Sequence, residues 1–245
     1  MKNGPLNSQC NKDFNMNIID VHTHIDYMTH KIQPCVDSVV CCATYESMWN
    51  DLIDIHNNDK NVYCAFGVHP WYIDSVKDGF DKRLEDILNT NRSFLVGEIG
   101  LDNNKHDMEN QIDVFIKQLD IAIKLKRNVF IHCVGAWDKI LHILKQYNKS
   151  DLPNIIFHSF NGNENIIKQL TKNYGKKVFF SFNKIDIDNE IRRIEQIDIN
   201  QILIESDGKE NSNLHNLISK ISNIKNTENI CDIIYNNTKQ VLQNG

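Results

Sequence analysis

Eight short apolar runs rich in β-favouring residues punctuate this chain, and segments with helical spacing separate nearly all of them. The runs occupy residues 17–23, 36–43, 61–68, 94–100, 128–132, 154–158, 177–182 and 201–205. Helical patterns fall at 48–55, 83–88, 108–126, 137–146, 166–170 and 189–197, with two closing helices at 214–221 and 228–242. The clearest of them repeats apolar residues at Ile112, Phe115, Ile116, Leu119, Ala122 and Ile123, the spacing of one helix face. Neighbouring parallel strands need a crossover, usually a helix, so regular strand–helix alternation predicts a parallel sheet. Eight such strands can close into a TIM-type (β/α)8 barrel with C-terminal helices closing it. A chain of 245 residues matches the ~250 typical of one such barrel. No linker or internal repeat divides the pattern, so residues 17–245 read as a single barrel domain behind a flexible tail at 1–16.

Composition narrows the function classes. Hydrophobic residues make up 41% and charged residues 24%, as expected of a globular domain rather than a disordered chain. A formal charge of −5 argues against a broad basic surface that tracks nucleic acid, though not against a small site that grips one phosphate. No apolar run approaches the ~18 residues of a membrane span, and the polar opening lacks the apolar core of a secretory signal. The expectation is a cytoplasmic or nuclear protein, not secreted, without membrane attachment and without an obligate protein partner. Seven cysteines, an odd number with no Cys-x-x-Cys pair, read as reduced and mostly buried. Cys133 stands out only by adjoining His132.

Barrel enzymes carry their chemistry at the C-terminal ends of the strands, and titratable residues recur there. Strand one ends in His22 and His24; alternation predicts that Asp20, His22 and His24 share a face. His69 follows strand three, Glu98 lies in strand four, His132 and His158 end strands five and six, and Asp207 lies just past strand eight. A single strand-end histidine is ordinarily a solvated loop residue; the recurrence is what carries information. Histidines and carboxylates in this number suffice for two divalent cations, with Glu98 as the bridge because each of its oxygens can take one ion. Histidine-rich ligation favours zinc or manganese over magnesium as the bound metal, with magnesium still able to support activity. Two ions would polarise a phosphoryl or carbonyl oxygen and acidify a bridging water, and Asp207 could ligate one ion while accepting the water's proton.

The runs Asp20-Val21-His22-Thr23-His24-Ile25-Asp26, Gly67-Val68-His69-Pro70, Gly97-Glu98-Ile99-Gly100-Leu101-Asp102, His158-Ser159-Phe160-Asn161-Gly162 and Glu205-Ser206-Asp207, with the apolar strand ending in His132, resemble the successive motifs of TatD-type metal-dependent hydrolases. The resemblance is collinear from about residue 18 to 207, and Gln111, Phe115, Ala122 and Asn237-Thr238 also fit it. It implies an amidohydrolase-like barrel with a binuclear site and deoxyribonuclease activity that removes nucleotides from single-stranded or 3' ends of DNA. By position it implies His22, His24, Glu98 and Asp207 on one ion and Glu98, His132 and His158 on the other. His69 becomes an active-site histidine that contacts the scissile phosphate or leaving group.

Two departures stand out. The family often has proline soon after the strand-eight aspartate, where this chain reads Asp207-Gly208-Lys209, and usually arginine two residues after the strand-five histidine, where this chain has Val134. Lys105 and Lys209 are the cations expected to compensate, with Lys209 assigned to substrate binding. Two other function classes stay open: a metal-dependent ester or amide hydrolase, such as a D-aminoacyl-tRNA deacylase, and a non-catalytic protein stabilised by metal.

Overall fold

The structure is a computed structural model, and it describes residues 17–24, 36–185, 188–209 and 213–243. The tail expected at 1–16 lies outside the described residues, as do Ile25 and Asp26. Strands β1 (Ile19–Thr23), β2 (Ser38–Cys42), β3 (Val62–Phe66), β4 (Leu95–Asp102), β5 (Val129–Val134), β6 (Ile155–Phe157), β7 (Val178–Phe182) and β8 (Ile202–Ile204) lie side by side in sequence order, every pairing parallel. Between them run α1 (Trp49–Asn58), α2 (Phe80–Thr90), α3 (Met108–Leu125), α4 (Trp137–Leu144), α5 (Glu164–Tyr174) and α6 (Asp188–Gln196); α7 (Leu214–Lys225) and α8 (Ile230–Leu242) follow the last strand. The order is that of a (β/α)8 barrel. Its seam is drawn together where the Ser206 N–H donates to Asp20 Oδ1 at 2.9 Å and the Asp207 N–H to the His22 carbonyl at 2.9 Å.

Two apolar layers follow from strand alternation. Ile19, Val40, Ala65, Leu95, Phe130, Ile156, Phe179 and Leu203 fill the barrel interior, while their sequence neighbours, such as Val39, Cys64, Val129, Ile155 and Phe180, pack outward under the helices. Val241 and Leu242 of α8 join the interior cluster. They plug the end opposite the strand C-termini. Asn128 fixes them there by donating to the carbonyls of Val241 (2.7 Å) and Gln243 (3.1 Å), and Asn237 donates to Ile202 (3.0 Å). One end of the barrel is thus sealed with hydrocarbon, leaving the other for polar chemistry.

Candidate metal centre

Alternation places most of the site. Because Phe130 points into the barrel, His132 two residues later points inward at the mouth; the same step leads from Ile156 to His158 and from Leu203 to Glu205, and twice that step from Ala65 to His69 and from Phe179 to Asn183. Strand β4 breaks the rule. Its pairing with β5 shifts register between Val96 and Ile99, and both of those residues face the helices, so Glu98 stays inside although it lies three positions after inward-facing Leu95. At Gly100, φ is +147° and an added Cβ would sit 1.9 Å from the His132 carbonyl oxygen. Only glycine lets the two strands approach so closely where both carry site residues.

Strand β1 also shifts register, between Asp20 and Thr23, and this corrects the expectation that Asp20 shares the face of His22 and His24. The Asp20 carboxylate instead accepts the backbone N–H groups of Ser206 (2.9 Å) and His22 (3.3 Å), closing the β1–β8 seam, and burial pushes its carboxyl up to about 7.

The remaining residues converge on Glu98. His22 Nε2 and His24 Nε2 lie 3.2 Å apart and 3.2 and 3.4 Å from Glu98 Oε2, with Asp207 Oδ1 3.8 Å beyond His24. Around the other oxygen, Oε1, stand His158 Nε2 at 2.8 Å, His132 Nδ1 at 3.0 Å and His69 Nε2 at 3.1 Å. Ligand atoms of His22, His24 and Asp207 all fall within 4.8 Å of one another, as do those of His22, Glu98 and His158, and of His69, Glu98 and His132. Burial opposes the ionisation of Glu98, but the rings of His158, His22 and His69 outweigh it and hold the carboxyl well below its ordinary value.

Outer partners decide which ring nitrogens offer lone pairs. His24 Nδ1 meets the Cys42 carbonyl at 3.0 Å, which can only accept, so the proton sits on Nδ1 and Nε2 is left as a donor atom. Burial lowers the pKa of this ring and keeps it neutral. His132 Nε2 faces Asp102 Oδ2 at 3.3 Å, freeing Nδ1 towards Glu98. His158 Nδ1 lies 3.3 Å from Glu205 Oε1, at ion-pair distance but without hydrogen-bond alignment, and its Nε2 faces Glu98. His69 is the reverse case: its Nδ1 accepts the Trp71 N–H at 3.1 Å, so in the neutral ring Nε2 carries the proton and donates towards Glu98. Burial lowers the His69 pKa as well, which favours that neutral form.

These residues fit a divalent cation. Ligands ~2.1 Å from a tetrahedral ion lie about 3.4 Å apart, the spacing of the His22, His24 and Glu98 donors. Burial disfavours a charged His158, yet Glu98 and Glu205 on either side raise its pKa well above the ordinary value. The site therefore calls for positive charge, which a metal ion supplies as readily as a proton.

Sequence reasoning assigned no role to Asp102 or Glu205, although both stand in the motifs. Asp102 is pinned from three sides: Trp71 Nε1 donates at 2.6 Å, the Asn104 N–H at 2.8 Å, and His132 Nε2 lies beside it. Burial works against its charge, and those hydrogen bonds hold its pKa below the ordinary value nevertheless. Glu205 was findable by parity, two residues after inward-facing Leu203. Lys209 Nζ reaches Asp207 Oδ2 at 3.1 Å, and Asn183 donates to the same oxygen at 3.2 Å. Lys105 Nζ sits 4.6 Å above the Trp71 ring. Val134 lines the cleft, about 460 Å³, that opens over these groups. No helix among the described residues is long and apolar enough to cross a membrane.

Known proteins resemble this chain in sequence and in fold. The family described as TatD related DNase matches residues 19–243. A protein of Methanocaldococcus jannaschii named an uncharacterized metal-dependent hydrolase is 27% identical over 191 residues, 73% of this chain and 74% of that protein. A human 3'-5' RNA nuclease is 26% identical over 77% of this chain and 28% of its own length, and a 3'-5' ssDNA/RNA exonuclease of Pectobacterium atrosepticum is 34% identical over 41% and 40%. This chain thus spans well under half the length of the latter two. Among solved structures, a TatD homologue of Escherichia coli superposes with a TM-score of 0.77 at 20% identity, covering 91% of this chain and 97% of that one. A TatD family hydrolase of Entamoeba histolytica gives 0.77 at 16%, covering 92% and 98%. At such identities the structural likeness speaks for the fold.

Proposed function

We propose, from the fact that this chain belongs to the TatD related DNase family and from the geometry of its barrel mouth, that it is a metal-dependent nuclease that hydrolyses phosphodiester bonds and removes nucleotides from the 3' ends of single strands. The observation that carries this reading is the convergence of five histidines on the two oxygens of one buried carboxylate, Glu98, beside Asp207 and at the strand C-termini. His22, His24, Glu98 and Asp207 would hold one divalent ion and Glu98, His132 and His158 a second, with zinc the best match to the donors. When bound, such ions polarise a phosphoryl oxygen and acidify a water at neutral pH.

The chain's own groups supply the rest. Asp207 Oδ2 is occupied by Lys209 and Asn183, leaving Oδ1 to face the site and accept the water's proton. His69 presents an N–H on Nε2 and can donate to the scissile phosphate or the departing oxygen. Lys209 adds a cation at the rim for phosphate. Relatives named as 3'-5' nucleases acting on ssDNA and RNA support a nucleic-acid substrate.

Metal analysis combined with nucleotide release from 5'-labelled single-stranded DNA tests this reading, with mischarged aminoacyl-tRNA assayed beside it. Stepwise shortening of the label, dependent on added zinc, manganese or magnesium, is expected. Deacylation without shortening would replace the reading by an esterase one.

A further inference from the structure

Beside the donor cluster the cleft carries a feature that water-activating chemistry does not use. Trp71 is 52% and Tyr72 39% exposed, two of the three large apolar side chains so exposed among the described residues, and both line the cleft. Exposed apolar surface rimmed by polar residues is a mark of a ligand-binding groove.

Both rings are held in place. The Trp71 indole donates through Nε1 to buried Asp102, and its centroid lies 5.2 Å from that of His69 and 6.4 Å from that of His132. Tyr72 is backed by Tyr45, with centroids 5.1 Å apart, and its N–H donates to the His69 carbonyl at 2.9 Å. Lys105, 4.6 Å over the indole, places a cation at the same spot. Rigid aromatic faces, an adjacent cation and a phosphate-handling centre one ring away are the components of a single-strand binding site, because every base has a π-face and stacking tolerates any sequence.

We propose that Trp71 and Tyr72 form a stacking seat for the unpaired 3'-terminal nucleobase, so that the cleft selects frayed or single-stranded ends by base stacking. Paired, stacked bases cannot offer a free face, which makes the seat a device for strand selection. The proposal rests on the nuclease reading above and deepens it. Trp71 has a second link, through Asp102 to His132, so the variants must separate ring from N–H. Trp71→Phe and Tyr72→Phe keep a ring; Trp71→Leu and Tyr72→Leu remove it.

The test is equilibrium binding, by fluorescence anisotropy in chelator, of a labelled single-stranded decamer and of the same decamer with an abasic 3' nucleotide. The full-length wild-type chain should prefer the intact end by roughly 5- to 150-fold, the range of one stacked base. The two Phe variants should keep that preference and the two Leu variants lose it. Equal or undetectable binding of both decamers by the wild type, or Leu variants that still discriminate, overturns the proposal. A parallel assay of the metal-loaded wild type on the intact decamer keeps the readings apart: discrimination in binding without hydrolysis upholds the seat and defeats the nuclease reading.

Discussion

At the scale of single residues, Asp207 and Asp102 do different work on the same cluster. Asp207 is partly exposed, sits at a left-handed φ of +55° that aspartate tolerates better than most side chains, and keeps Oδ1 towards His24 while Oδ2 is engaged. Asp207→Asn retains the shape but removes the basic oxygen. Its kcat on single-stranded DNA should fall at least ~100-fold, the lower end for loss of a general base; near-normal turnover would remove Asp207 from that role. Asp102 touches no expected substrate atom and holds His132 by its far nitrogen. Asp102→Asn can still accept one hydrogen bond but no longer reinforces ring basicity, so metal affinity, read by competition with a chromophoric chelator, should weaken ~10- to 100-fold. Unchanged affinity would mean that backbone geometry alone aims His132.

At the scale of elements, α3 is more than a cover for the barrel. Gln111 and Gln118, seven residues apart and so on one helix face, each clamp a strand end. Gln118 accepts from Val68 N–H at 2.7 Å and donates to its carbonyl at 3.2 Å, while Gln111 does the same for Asp102 at 2.8 and 3.1 Å. One clamp adjoins His69 and the other fixes Asp102 itself. Gln118→Leu leaves both Val68 groups buried without partners, at ~1–3 kcal/mol each, so urea unfolding should show a loss of at least ~2 kcal/mol. The exposed neighbour Lys117→Ala should change little; equal effects of the two would refute the clamp. The eight strands and their helices were legible because parallel strands with helical crossovers write long apolar periods, and the strand-end histidines because alternation carries them to the mouth. The clamp at Gln118 was not: a buried glutamine in an apolar helix face has no local signature, and its partner lies 50 residues away. Nor were the register shifts in β1 and β4, since a period-two pattern cannot register the irregularities that bring His22 inward directly after Val21 and Glu98 inward three residues after Leu95. The Trp71–Asp102 bond joins the segment after β3 to the last residue of β4 across 31 residues and left no pattern either.

The whole molecule carries a net charge of −5, which sets how it can hold a polyanion. That charge argues against a broad cationic face, so the reading assigns backbone phosphates to lysines near the site, Lys105 over Trp71 and Lys209 beside Asp207. Each phosphate contact on a single strand contributes ~0.7 to the negative slope of log affinity against log salt, so two contacts predict a slope of about −1.4 in chelator. Val134 lines the cleft, at the position where the family resemblance leads one to expect arginine. Val134→Arg adds one two-pronged, charge-assisted contact. It should steepen the slope by about 0.7 and, at ~1.5–3 kcal/mol for a hydrogen bond to a charged group, lower KM roughly 10- to 150-fold. Lys209→Ala should do the opposite, raising KM and flattening the slope by a similar step. The two readouts must move together, because one contact underlies both. A Val134→Arg protein that folds and binds metal yet keeps the wild-type slope and kcat/KM would show that the phosphate does not pass Val134, and a wild-type slope steeper than about −4, roughly six phosphate contacts, would reveal a cationic track that the net charge of −5 argues against.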